Sequence, residues 1–169
     1  MKSSYLALVI LVTLGLFAVS CQKETERPVS PDTKKANEFR AFVQNKGFVV
    51  TSYYADKPID YVKNDGIETM ETDLNKYIYN HIKDDKNELL ENGQLLIHQN
   101  TVKAPGNDSA TLTRNWSIGV NSRGVYINFV DYDYLPRQYK LAEFTDKYFL
   151  VYVDWSGTDA KVYSKFELK

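Results

Sequence analysis

The 169-residue sequence predicts a mainly β protein with one or two short helices, in which an antiparallel meander curls into a β-barrel. Three observations predict this fold. After residue 86, short runs rich in β-branched and aromatic residues follow one another, separated by turn-forming residues. Several runs alternate apolar and polar positions, as half-buried strands do. Seven to eight such strands do not lie flat with one apolar face, so the sheet is expected to curl.

Two helices are predicted in the first half of the domain. The first covers 34–46, where apolar residues recur at helical spacing and Gly47 marks the end. The second covers 69–83, where four apolar residues share one face. Between them, strands are predicted over 48–54 and 58–62.

The rest of the chain is predicted to be strand and turn. Asn92-Gly93 is a strong hairpin signal, because both residues tolerate positive φ. A polar loop is predicted over 100–110, and the strand at 148–155, apolar on both faces, is predicted to be central. The strands are predicted over 87–90, 94–98, 111–119, 124–131, 138–145, 148–155 and 160–168.

The aromatic content, 14% and mostly tyrosine, is typical of strands with one face on a core and of binding surfaces. The sequence leaves these two interpretations open. The residues predicted to face a ligand or to form the core are Trp116, Ile118, Val125, Ile127, Phe129, Tyr152 and Trp155.

The first residues have the pattern of a cleaved signal. A basic start is followed by an apolar run over 5–19, which is too short to span a bilayer. The run ends in Ala18-Val19-Ser20-Cys21, which resembles the lipobox of bacterial lipoproteins. This resemblance implies cleavage before Cys21, lipidation of its thiol and anchoring by two or three acyl chains. The alternative is a secreted or uncleaved protein with an incidental cysteine.

Three segments are therefore expected: a signal peptide over 1–20, a lipidated flexible tether over 21–35 and a single domain over 36–169. The charged run behind the cysteine resembles a surface-export signal of lipoproteins in some Gram-negative groups. It implies an outer-membrane location at the cell surface, with a periplasm-facing position as the alternative. Its residues are Gln22, Lys23, Glu24 and Glu26.

Composition and motifs argue against several function classes. The net charge of −1 does not favour nucleic-acid binding, and the single cysteine leaves no thiol chemistry for the domain. His81 and His98 have no partners at metal-ligand spacing, so no metal site is expected. No nucleophile elbow, phosphate loop or dinucleotide fingerprint occurs. We therefore expect no enzyme activity and no cofactor.

Two local patterns allow a specific role beside a plain structural one. Asp131-Tyr132-Asp133-Tyr134 places two carboxylates, a pair that can hydrolyse glycosidic bonds, beside aromatic rings that can stack on sugars; the plain alternative is a strand that runs into a polar turn. Asp108-Ser109-Ala110 resembles the acceptor tripeptide for O-glycosylation in some of the same bacteria, which makes Ser109 a candidate modification site.

Over about residues 37–169 the chain resembles the lipocalin-like domains of small bacterial lipoproteins. The resemblance rests on the order of features. A helix and first strand precede Asp84-Asp85 and the Asn92-Gly93 hairpin, followed by a strand with Trp116 and a closing pair of strands. It implies a fold that holds an apolar or amphipathic ligand in its mouth. The competing hypothesis is a protein-interaction accessory of a surface assembly, with exposed tyrosines as anchors.

Overall fold

The computed structural model describes residues 29–62, 69–130 and 134–169. The predicted lipidation site Cys21, the export run at 22–26 and the residues 131–133 lie outside the described residues. Two helices, one 3-10 turn and nine strands are described: α1 Pro31–Val43, β1 Lys46–Asp60, β2 Met70–Asp73, the 3-10 turn Asn75–Tyr77, α2 Asn80–Asp84, β3 Lys86–Leu89, β4 Gln94–His98, β5 Thr111–Asn121, β6 Gly124–Val130, β7 Pro136–Phe144, β8 Tyr148–Asp154 and β9 Lys161–Leu168.

Helix α1 begins and ends three residues earlier than the sequence predicts. Ser30 is its N-cap and accepts a hydrogen bond from the Thr33 backbone N–H at 3.1 Å, while Pro31 occupies the first helical turn. Asn45 has a φ of 57°, which turns the chain out of the helix before Gly47 is reached.

Strand β1 joins the two strands predicted at 48–54 and 58–62. Proline inside a strand normally removes a ladder hydrogen bond. Pro58 is tolerated because it lies in an irregular stretch between the pairs Tyr54↔Asp73 and Ile59↔Glu71, beyond the last pair with β9.

The helix predicted over 69–83 is wrong. The segment instead forms β2, the 3-10 turn and the five-residue helix α2. Asn75 accepts a hydrogen bond from the Tyr53 backbone N–H at 2.8 Å, and the backbone N–H of the fully buried Leu74 donates to the Tyr53 carbonyl at 3.0 Å. These contacts with β1 replace helical hydrogen bonds, so long-range pairing overrides the local helical pattern.

The predicted antiparallel meander is confirmed. Each strand from β3 to β9 pairs with the next along the chain, and all these pairs are antiparallel. Strand β1 pairs with β3 through residues 46–48 and with β9 through residues 48–55, so the sheet rings round. Strand β2 pairs with the later part of β1, residues 54–60, beyond the part that pairs with β3. Strand β8, predicted to be central, lies between β7 and β9.

One end of the ring, which we call the closed end, is filled by α1. The ring of Phe39 packs edge-on against Phe144 and Phe149, with ring centres 5.4 and 5.3 Å apart. Lys35 donates from Nζ to the carbonyls of Leu141 and Ala142, at 3.3 and 3.0 Å. The main apolar core therefore lies between α1 and the strand ends that meet it.

The strand directions place the loops 99–110 and 155–160 at the opposite end, which we call the open end. A smaller apolar cluster lies there, formed by Ala55, Ile59, Leu74, Ala160 and Val162. No helix among the described residues is long and apolar enough to cross a membrane.

Candidate functional site

A cavity of about 300 Å³ opens inside the ring at the open end. Its floor is apolar and rests on the main core; its rim carries tyrosine hydroxyls and a few other polar groups. The floor residues are Val50, Leu89, Leu95, Ile97, Phe129 and Phe166, and the rim residues are Tyr53, Tyr61, Tyr77, Tyr79, Asn87, Arg137 and Tyr139.

The floor follows from strand alternation, because every second residue of a strand points into the ring. The ring of Phe166 stacks on Phe149 with centres 4.6 Å apart and an angle of 7° between the planes. The next inward position on β9 is Ser164, between the inward residues Val162 and Phe166. A serine where its neighbours are bulky leaves space unfilled, and this position borders the cavity.

Aromatic contacts hold the rim together. The hydroxyls of Tyr53 and Tyr61 lie 3.1 Å apart. The Tyr61 ring also stacks on Trp155, with centres 5.4 Å apart, and lies 4.8 Å from the ring of Tyr77. Such offset contacts are each worth about 0.5–1.5 kcal/mol beyond burial. The rim is therefore a connected set of rings from β1, the 3-10 turn and the β8–β9 loop.

The rim is fixed to β2 by one acidic group. Glu71 accepts a hydrogen bond from the Tyr77 hydroxyl at 3.0 Å, and it forms an ion pair with Lys76 Nζ at 2.7 Å. The hydrogen bond from Lys76 lowers the pKa of the Glu71 carboxyl, and that from Tyr77 acts in the same direction. This carboxylate thus holds the 3-10 turn over the mouth of the cavity.

Two arginines, from the strands on either side of β6, reach the open end. Arg114 of β5 is buried on the inner face, and its guanidinium lies 3.8 Å from the ring centre of Tyr134. Arg137 of β7 lines the cavity at its rim.

Burial and the hydrogen bond with Tyr61 raise the pKa of the Tyr53 hydroxyl far above its ordinary value. The folded protein therefore keeps this proton where the unfolded chain, with a tyrosine pKa of about 10, releases it. The stability contributed by Tyr53 is complete below about pH 10 and falls by about 1.4 kcal/mol per pH unit above it.

We therefore expect the Tyr53→Phe variant to lose less stability than the wild type between about pH 10 and about pH 11. Urea unfolding at a series of pH values measures the difference between the two slopes. Equal slopes for the two proteins would contradict a buried, protonated Tyr53.

The residues predicted as ligand-facing or core separate into three groups. Phe129 lies in the cavity floor. Trp116, Val125 and Ile127 are buried in the main core, with Ile118 packed against it. The Trp116 indole N–H donates to the Leu90 carbonyl at 2.9 Å, which satisfies its polar atom inside the core.

Trp155 and Tyr152 lie elsewhere. Trp155 packs in the smaller cluster and borders an open groove that shares Tyr61 and Tyr77 with the cavity. Tyr152 is on the outer face, because Val151 occupies the inner face of β8 and is fully buried. The structure therefore places Tyr152 on the outer face of the ring and not in the core.

The outer face carries a row of half-buried tyrosines. Tyr54 stacks on Tyr163 with ring centres 5.1 Å apart, and Tyr163 lies 5.4 Å from Tyr152. The Nζ atoms of Lys140 and Lys161 lie 5.5 and 4.8 Å from the centre of the Tyr152 ring. The row follows the cross-strand pairs of β7, β8, β9 and β1. We call these five residues the tyrosine row.

The two histidines lie apart in simple environments. His98 pairs with Glu88 at 2.9 Å, and the His81 ring stacks on Tyr79 with centres 5.6 Å apart. Within residues 29–62, 69–130 and 134–169, no group of three or more His, Cys, Asp or Glu side chains is placed to hold a metal ion.

The candidate modification site Ser109 is exposed in the loop 99–110. Buried Gln99 organises this loop: its amide donates to the carbonyls of Ser109 and Asn107 at 2.7 and 3.2 Å, and its oxygen accepts from the Ala104 N–H at 2.6 Å. The Ser109 side chain is thus presented on an ordered loop. Of the acidic and aromatic run at 131–134, Tyr134 alone is described; it is exposed and covers Arg114.

Sequence reasoning missed most of the cavity lining. Tyr77 and Ile82 were expected on the apolar face of one helix, but they line the mouth from two separate short elements. No sequence motif marked three other lining residues, Tyr53, Arg137 and Ser164. The abundance of tyrosine was the one signal that pointed to a rim of this kind.

Comparison of the chain with protein-family models, with curated proteins and with solved structures finds no match.

Proposed function

We propose that the protein is a non-enzymatic, lipocalin-like lipoprotein whose ring of strands acts as a barrel that binds a small apolar or amphipathic molecule. The observation that carries the proposal is the cavity inside the ring. The closed end of the ring is filled by α1 and the aromatic core, whereas the open end is not filled by side chains. A structural scaffold without a ligand has no need of this space.

Size and chemistry of the cavity limit the ligand. A volume of about 300 Å³ is at the lower end of the roughly 300–1,000 Å³ range of small-molecule pockets. The apolar floor favours a hydrocarbon or aromatic body, and the hydroxyls of the rim favour a polar end near solvent.

We further propose that the chain is anchored in the outer membrane through Cys21, with the domain at the cell surface and the run 22–26 as export signal. Helix α1 begins at Pro31 at the closed end. The ten residues from Cys21 to Ser30 span at most roughly 30 Å, so the bilayer lies on the side of the closed end. The cavity mouth then faces away from the bilayer.

The Ser164→Phe variant tests the ligand site. The larger ring fills the cavity from its wall, so binding of the neutral apolar probe N-phenyl-1-naphthylamine is expected to fall at least tenfold. Fluorescence titration measures this on the chain secreted with Cys21→Ser, which keeps every described residue.

The matched control is Ser117→Phe, which adds the same ring at an exposed position on the outside of β5. It is expected to bind the probe as the wild type does, and both variants are expected to show cooperative thermal unfolding. Absence of probe binding to the wild type, or equal binding by all three proteins, would contradict a ligand site inside the ring.

A second candidate function is an accessory subunit that docks on a protein of a surface assembly. The tyrosine row favours it, because tyrosine is enriched at the energetic centres of interfaces. The rings are packed against each other and partly covered by lysines, so part of their apolar surface is already buried within the row. We therefore rank it second.

A further inference from the structure

The open groove beside the cavity has a chemistry of its own. It has a volume of about 850 Å³ and is lined, among the described residues, by four aromatic rings together with polar and aliphatic side chains. Val62, Lys76, Asn80 and Trp155 line the groove and are not in the cavity lining. The groove is therefore a second place where a ligand can lie, and it can be altered without changing a residue that lines the cavity.

Two aromatic side chains from different elements border the groove, each packed against a second ring. Tyr79 is 71% exposed and stacks on His81, with ring centres 5.6 Å apart and an angle of 8° between the planes. His81 is not among the described residues that line the groove or the cavity, so it supports the Tyr79 ring from the far side. Trp155, in the β8–β9 loop, stacks on Tyr61 with an angle of 21° between the planes. Stacking fixes the orientation of both rings and prepares them as flat contact surfaces.

Neutral polar groups lie at the same groove. In the described part of the chain, the Tyr79 hydroxyl and the Asn80 side-chain amide make no hydrogen bond to another protein group. Both residues are exposed, so a ligand can take the place of the water bound to them. Lys76 forms an ion pair with Glu71 at 2.7 Å and is therefore already engaged. Recognition at the groove thus depends on ring faces, a hydroxyl and an amide.

We propose that the groove is a carbohydrate-binding site for a neutral saccharide. A sugar ring packs on Trp155, and its hydroxyls bond to the Asn80 amide and the Tyr79 hydroxyl. A pyranose carries C–H groups on its faces and hydroxyls at its edge, so it matches flat aromatic surfaces bordered by neutral donors and acceptors. An aliphatic chain would cover the amide and the hydroxyl without replacing their hydrogen bonds to water, which is costly. This site is separate from the proposed ligand cavity and does not depend on it.

Affinity gel electrophoresis of the chain secreted with Cys21→Ser tests the proposal. The native gels contain dextran, laminarin, galactomannan or arabinoxylan, and at least one of these polysaccharides is expected to retard the wild type. In that gel Trp155→Ala is expected to bind about tenfold more weakly, because the ring contact is lost. Asn80→Ala is expected to bind about threefold to tenfold more weakly through the loss of one hydrogen bond. Because Asn80 is exposed, this second variant keeps the fold even if Trp155→Ala weakens it.

Tyr152→Ala is the matched control, because it removes an aromatic ring from the outer face, away from the groove. It is expected to be retarded as the wild type is. Asn80→Ala is expected to bind N-phenyl-1-naphthylamine as the wild type does, since Asn80 is not in the cavity lining. Loss of saccharide binding in Tyr152→Ala alone would assign the sugar to the tyrosine row and overturn the groove site.

Flotation with vesicles of phosphatidylcholine and digalactosyldiacylglycerol distinguishes the two sources of a neutral saccharide. Binding to these vesicles without retardation by any polysaccharide would assign the site to a glycolipid head group. Failure to bind in both assays, or equal binding by the wild type, Trp155→Ala and Asn80→Ala, would overturn the carbohydrate site and leave the cavity function standing. Failure of N-phenyl-1-naphthylamine alone would overturn the cavity function and leave the groove site.

Discussion

Replacing Phe39 with alanine is expected to lower the free energy of unfolding by about 3–5 kcal/mol, the usual cost of truncating a buried phenylalanine. The Phe39 side chain is fully buried. It lies between the rings of Phe144 and Phe149 and 6.4 Å from that of Phe42. Because these rings come from α1, β7 and β8, their neighbours do not collapse easily into the space that an alanine leaves.

The Phe39→Ala change also tests whether the closed end stabilises the fold independently of ligand binding at the open end. Small domains have a free energy of unfolding of about 5–15 kcal/mol, so this loss is a large part of the total. Urea unfolding followed by tryptophan fluorescence measures it, since Trp116 lies in the same core. We expect the variant to be less stable even at full ligand saturation, because Phe39 does not touch the cavity.

Val120→Ala is the control for this prediction. Val120 lies at the closed end of β5 but is 42% exposed, so its truncation is expected to change stability by less than about 0.5 kcal/mol. If Phe39→Ala changed stability as little as Val120→Ala does, α1 would not be an integral part of the domain.

The strands after residue 86 were predictable because their signals are local. The hairpin expected at Asn92-Gly93 is present, and of these two residues only Gly93 takes a positive φ, 82°. Strands β4 to β9 lie within a few residues of their predicted bounds. The meander follows, because neighbouring strands joined by short turns pair with each other.

The region before residue 86 was less predictable because distant contacts decide it. Leu74 has the spacing of a helical core residue, yet its backbone N–H bonds to Tyr53, twenty-one residues away. Asn75 supplies the side-chain bond that completes this link. No window of local sequence contains these partners, so periodicity alone assigns the wrong element.

The site could not be predicted because strand irregularities and single small residues shape it. Strand β1 has an irregularity between Val50 and Ser52, which moves Tyr53 onto the inner face. Without the bulge, alternation from Phe48 would have placed Tyr53 outside. The space beside Ser164 exists because larger residues surround this small side chain. The closed ring brings those residues together, so the sequence of β9 alone does not reveal the space.

Replacing Cys21 with serine is expected to abolish membrane attachment, the largest effect on the protein in its cell. Serine removes the thiol that would form the thioether to the diacylglyceryl group. Each buried methylene contributes about 0.8 kcal/mol to anchoring, and two or more chains are needed for stable attachment. We therefore expect the variant in the soluble fraction and the wild type in the membrane fraction.

Intact-mass measurement of the natively expressed protein tests the chemistry directly. The expected mass is that of residues 21–169 with two or three acyl chains, plus a glycan if Ser109 is modified. The bare lipidated mass would end the proposal for Ser109, and an unlipidated mass would end that for Cys21.

Alanine at Lys23, Glu24 and Glu26 tests export in the same cells. If the run is the export signal, protease added to intact cells is expected to digest the wild type and to spare this variant, which keeps its lipid and its membrane fraction. Equal digestion of both would show that the run is only a spacer. Protection of both would favour a periplasm-facing domain, whose cavity mouth, pointing away from the outer membrane, would meet ligands in the periplasm and not in the medium.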